Sequence, residues 1–194
     1  MHTVRERFEQ ARTNRAEIDS AIAVVEEFLA SHPQNPVALG YLGSLQGMKA
    51  DTAVLPWVKL RQVNLAVRLL NEAYQRRFEK EPSADEIYPA ELEILLLRGI
   101  AFASFPAFLG RGDAARNDLG QAKRHPAFPG IPSRYRALTY AHLAALCARA
   151  EERGEALRFL TRARSADLAT AEQIYNGEQM LGAARSEQKS GPDK

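Results

Sequence analysis

The four histidines, His2, His32, His125 and His142, are the side chains best suited to proton transfer or metal binding, and their spacing supports neither. A helical metal site needs two histidines one turn apart, as in H-E-x-x-H, so that both rings reach one ion. None of the four lies that close to another. His32 and His125 each precede a proline at an expected helix end, where a partial positive charge meets the carbonyl-rich terminus, a structural role. His142 falls mid-helix beside Tyr140, a position for packing or exposure rather than for a general base. The lone cysteine, Cys147, lies in the alanine-rich run Leu143 to Ala150. It cannot close an internal disulfide, and in that setting a thiol behaves as a small hydrophobe. The acidic pairs Glu26/Glu27 and Glu91/Glu93 have no convergent base or nucleophile and read as solvated helix faces. Gly110-Arg111-Gly112-Asp113 lacks the lysine and the preceding strand of a phosphate loop. Its Arg-Gly-Asp tripeptide reads as an ordinary turn between helices. An enzyme is not expected, and no metal or cofactor is implied.

The composition sets wider bounds. A chain of 194 residues with 45% hydrophobic content suits one domain, taken here as 1–185 with a tail at 186–194. Lys and Arg number 26 against 24 Asp and Glu, a net charge of +2. Nucleic-acid binders instead cluster their basic residues on one face. Here the arginines interleave with glutamates, as at Glu151, Glu152, Arg153 and Glu155, which marks a solvated helix face with paired charges. No nucleic acid is expected. The opening Met1-His-Thr-Val-Arg-Glu-Arg-Phe lacks the apolar stretch of a signal peptide. The longest apolar run, Ile94 to Phe105, is broken by Arg98 and falls short of the about 18 residues that span a bilayer. The expectation is a cytoplasmic protein with no membrane span.

Strand signals are nearly absent, with no sustained alternation and no Asn-Gly or Asp-Gly hairpin between β-branched runs. Helix signals recur instead. A short helix is expected from about Val4 to Thr13. Asn14 with Glu17 opens a second to about Ala30, and Asn35-Pro36 opens a third to about Lys49. Pro56 opens a long one, Trp57 to about Phe78, whose stripe is Leu60, Val63, Val67, Leu70 and Tyr74. A polar linker at 79–85 follows, with a capping box at Ser83 and Glu86. A helix then runs from about Ile87 or Pro89 to Phe105, and Asp113 caps a short one to about Arg124. The proline-rich stretch Pro126 to Pro132 is non-helical. Ser133 starts a helix to about Glu152, Gly154 marks a turn before a helix to about Ser165, and Thr170 with Gln173 caps a last one to about Ala184.

Four triplets share one pattern: Ala21/Val25/Phe28, Ala66/Leu70/Ala73, Ala115/Leu119/Ala122 and Ala156/Leu160/Ala163. Irregular spacing of this size between apolar triplets suggests helix pairs stacked with loops of unequal length. Around Pro33 the chain resembles a tetratricopeptide repeat junction. Ala21, Val25, Phe28 and Pro33 keep the spacing of that family's second helix, and Leu39, Leu42, Gly43 and Gln46 that of the following first helix. The last pair matches through Tyr140, Leu143, Ala144 and Cys147. The middle pair matches in part through Leu95, Gly99 and Phe102. The resemblance implies an all-α, α-α superhelix of about four helix pairs plus a C-terminal helix. The segment Phe105 to Asp113 is also similar to a turn in bacterial tetratricopeptide-like proteins associated with transporters.

In that family the first helix of each pair lines a concave surface. Carried over, the groove shows Val37, Gly40, Ser44, Gly47 and Met48, then Glu93, Leu96, Ile100 and Ala103, then Leu138, Ala141, Ala145, Ala148 and Arg149. These small and apolar residues lack the Lys, Arg and Asn of a carboxylate clamp. They would accept a helix or an extended apolar segment. The occupant is another protein or peptide, a second copy in a homodimer, or the chain's own last helix with Ile174, Tyr175, Met180 and Leu181. The functional expectation is an adaptor or assembly factor; the alternative is a transporter accessory that binds a small ligand or peptide. Trp57, behind Pro56, is either a core plug or, if exposed, an interface anchor.

Overall fold

In a computed structural model of the chain, residues 1–78 and 88–174 are described. Every regular element among them is helical, so the chain is all-α. Helices with both ends described are α1 His2–Thr13, α2 Ile18–Ser31, α3 Pro36–Thr52, α4 Pro56–Gln75, α5 Ala90–Ser104, α6 Gly112–Ala122, α7 Ser133–Arg149 and α8 Arg153–Ala166. Residues 168–174 are helical as well. The expected linker at 79–85, the Ser83/Glu86 capping box, Tyr175, Met180, Leu181 and the tail 186–194 lie outside the described residues.

Local chemistry explains where the helices start and stop. At α3 the Ala38 N–H donates to Asn35 Oδ1 at 3.0 Å, and Pro36 takes a first-turn position where no N–H is needed. Asn14 also accepts a backbone N–H, from Ala16 at 3.2 Å, but closes a single 3-10 turn, Arg15–Glu17, before α2. Asp113 lies within the first turn of α6 rather than capping it. The last helical segment is capped by Asp167, whose Oδ1 accepts from the Thr170 N–H at 3.0 Å, so Thr170 is not the cap. The proline-rich stretch does hold one 3-10 turn, Phe128–Gly130, because the fixed φ of Pro129 suits a first-turn position.

The α7–α8 turn corrects another expectation. Gly154 sits inside α8, and the residue in the left-handed region is Glu151, with φ 62°. The Glu152 N–H donates to Cys147 O at 2.9 Å and the Glu151 N–H to Ala148 O at 3.1 Å. This pair of bonds is the Schellman helix end, usually built on glycine.

The chain falls into two compact units, Met1–Asp118 and the part from Leu119 onward, with the division inside α6. In the first, α3 packs against α1, α2, α4 and α5. It is buried without interruption from Pro36 to Gly47. A helix covered all round needs small residues where neighbours come closest. Gly43 is such a point: a Cβ there would lie 2.8 Å from Leu70 Cγ and 3.2 Å from Ala66 O. The triplet Ala66, Leu70 and Ala73 is therefore the stripe by which α4 meets α3. Leu60, expected on the same stripe, is half exposed, because the buried face of α4 begins only at Val63.

In the second unit, α7 and α8 pack together. Ala141, Ala163 and Ala171 form a small core with Tyr140 and Ile174 against it. Phe128 meets Tyr140 edge to face at 5.7 Å. Cys147 is buried and outside any disulfide, as its apolar surroundings predict. No helix among the described residues is long and apolar enough to cross a membrane.

Candidate functional site

The structure places the groove residues mostly inside. Val37, Gly40, Ser44 and Gly47 are buried on α3, and Glu93, Leu96 and Ala103 on α5. Met48 and Ile100 are half-buried. A Cβ at Gly40 would lie 3.1 Å from Leu97 Cδ1, and one at Gly47 3.1 Å from the Phe105 ring. The trough expected along α3 and α5 is thus occupied by side chains of this chain's own helices. The same small residues that would line an open groove also permit a close helix crossing, and spacing alone does not separate the two. On α7, Leu138 and Ala141 are buried and Ala145 half-buried, while Ala148 and Arg149 are exposed.

Glu93 is the largest departure from expectation. It is buried rather than part of a solvated face. Arg5 of α1 grips it with both ends of its fork, Nε to Oε1 at 2.8 Å and Nη2 to Oε2 at 2.7 Å. The Tyr41 hydroxyl of α3 donates to Oε1 as well. One carboxylate thereby ties α1, α3 and α5 together with three charge-assisted hydrogen bonds. Burial, and then the neighbouring carboxylate, push the Tyr41 phenol well above its usual pKa. Hydrogen bonding to Glu93 raises the Arg5 guanidinium further. The Tyr41 and Arg5 shifts both run away from neutrality, and the geometry makes the cluster a clamp between three helices. One signal was available in the sequence. A carboxylate inside Leu92-Glu93-Ile94-Leu95-Leu96-Leu97 needs a buried cation, although nothing there singles out Arg5.

The histidines are engaged locally. His32 stacks on Phe28 at 4.4 Å between centroids, and its Nδ1 lies 3.2 Å from Phe28 O at the end of α2. His125 Nδ1 accepts the Ala127 N–H at 3.1 Å, and His142 is buried. Among the described residues no three His, Cys, Asp or Glu side chains group as metal ligands.

What stands open is a corner. Only three residues join α3 to α4, and Pro56 fixes the start of the second helix. Val54 is 92% exposed and Trp57 67% exposed, with Leu55 and Leu60 exposed beside them. Trp57 is therefore not a core plug. In the same stretch Lys59 lies 3.9 Å from Asp51, and Arg61 is exposed on the next turn. Four large apolar side chains are thus exposed within seven residues of this corner. No protein-family model, curated protein or solved structure matches the chain.

Proposed function

We propose that the chain is a non-enzymatic protein-interaction module, an adaptor or assembly factor. In this reading it holds an apolar segment of another protein against the corner formed by Val54, Leu55, Trp57 and Leu60. The exposure of Trp57 is the observation that carries the reading. A tryptophan gives more binding free energy per residue than almost any other side chain when a partner covers it. Lys59 and Arg61 at the rim favour a partner segment flanked by acidic residues. The pairing of α3 with α4 and of α7 with α8, and the close crossing at Gly43, support a tetratricopeptide-like arrangement of hairpins. The buried ion pair Arg5–Glu93 holds α1 to α5, a structural use of ionisable groups.

A photo-crosslinking amino acid at position 57, with one at exposed Arg158 as control, tests this in the native host. Adducts from position 57 should concentrate on one other polypeptide and disappear in the Val54→Ser/Leu60→Ser variant while far-ultraviolet circular dichroism stays helical. Matching adduct patterns from positions 57 and 158 would refute the corner, and an adduct of twice the chain mass would reassign it to self-association.

A further inference from the structure

A second cluster in the first unit plays no part in that docking reading. It begins with Tyr74 at the end of α4. The guanidinium carbon of Arg77 lies 3.7 Å from the centre of its ring, and that of Arg98 lies 3.8 Å from it. Two planar guanidiniums cannot share one face at those distances, so the ring is held between them. Arg98 continues to Phe102, at 5.2 Å, and Arg111, just before α6, approaches the same ring at 5.8 Å. Three arginines from three parts of the chain are thus arranged along two aromatic rings, with their directions set by stacking.

Their charge is poorly matched. The one carboxylate among the described residues that pairs with them is Asp118, fully buried, with Oδ2 3.2 Å from Arg98 Nε. That approach has ion-pair distance but not hydrogen-bond geometry. Both Asp118 oxygens, and the Nε of Arg77, Arg98 and Arg111, are buried with no hydrogen-bond partner among the described residues. Among the described residues, three cations against one anion leave two positive charges. Guanidinium forks prefer oxyanions, which accept two parallel N–H bonds per fork. Burial lowers the pKa of Arg98, with Asp118 opposing that and Arg77 and Arg111 adding to it, so the three charges act on one another.

We propose that Arg77, Arg98 and Arg111 form a binding site for a phosphoryl group. Its two negative charges match the two uncompensated cations, and its oxygens supply acceptors for the stacked forks. The group comes either from a free phosphate compound or from a phosphorylated side chain of a protein. The stacking on Tyr74 and Phe102 holds the guanidiniums in place before the anion arrives, so little side-chain entropy is lost on binding.

The test uses the whole chain in isothermal titration with inorganic phosphate and, separately, with O-phosphoserine, ionic strength being held constant with sodium chloride. Saturable binding is expected. It should weaken by about tenfold in Arg77→Gln and again in Arg111→Gln, the factor expected for one lost charge-assisted bond. Tighter binding of O-phosphoserine than of phosphate assigns the protein source, and the reverse order a free phosphate compound. Glu79, Glu81, Asp85 and Glu86, close to Arg77 in sequence, lie outside the described residues. If they serve as counter-ions, the wild type takes up neither probe, which overturns the proposal. Binding unchanged in both folded arginine variants overturns it equally.

Discussion

Replacing Gly43 by alanine tests the close crossing of α3 and α4, and Gly40→Ala on the same helix is its control. In a helix interior alanine is favoured over glycine by about 1 kcal/mol, a gain both variants share. The cost differs. At Gly43 the new methyl would meet Leu70 Cγ at 2.8 Å, Leu70 N at 3.1 Å and Ala66 O at 3.2 Å. Two of those atoms are backbone and the third is a branch carbon, so the helices must separate, with a cost near the upper end of the ~1–3 kcal/mol for overpacking. At Gly40 the tightest contact is Leu97 Cδ1 at 3.1 Å, the end of a side chain that can turn away. Gly43→Ala should therefore destabilise by about 2 kcal/mol and Gly40→Ala by about zero. In thermal unfolding followed by circular dichroism, the variants should differ by roughly 4–8 °C for a chain of this size. A Gly43→Ala protein that melts at or above the wild type would refute the close approach of α4.

Other substitutions address the charged groups and the turns. Glu93→Gln leaves Arg5 buried without its counter-ion and should cost about 3–5 kcal/mol in urea unfolding, with much of the loss recovered by adding Arg5→Met. Burial holds the Asp118 carboxyl up to about 6, above the usual carboxylate range, against the opposing pull of Arg98 and Arg77. The folded form thus keeps its proton longer than the unfolded one, and stability falls as pH rises from about 4 to about 7. The difference in unfolding free energy between the wild type and Asp118→Asn should shrink by about 3 kcal/mol over that window, and a difference independent of pH would contradict the assignment. Glu151→Gly should raise stability by about 1 kcal/mol, because glycine adopts the left-handed backbone without the penalty a side chain incurs; unfolding in urea measures it.

Much of the helical layout can be read from the chain. Asn35-Pro36 and Pro56 signal their helices directly, because cap and proline chemistry act within a few residues. The Ala66/Leu70/Ala73 triplet likewise marks a real contact stripe. Signals failed where two local solutions compete. Asn14 closes a 3-10 turn instead of opening α2, and the turn after α7 is built on Glu151 although a glycine stands three residues later. The site was less legible. A row of small residues reads the same whether a partner or the next helix lies against it, so spacing places Gly40 and Gly47 in a groove that their own neighbours occupy. Arg5 and Glu93 are 88 positions apart, and periodicity carries no information over such a distance. The sequence leaves Trp57 between two roles, and its exposure decides against the core.

The clamp between Arg5 and Glu93 also bears on how the chain matures. At ribosomal speeds of about 5–20 residues per second, the carboxylate is made on the order of ten seconds after the guanidinium that will hold it. Throughout that interval the nascent amino-terminal segment has its apolar stripe but not the strut that fastens it. The packing of α1 on α2 and α3 is therefore completed by its counter-ion only once α5 has left the exit tunnel.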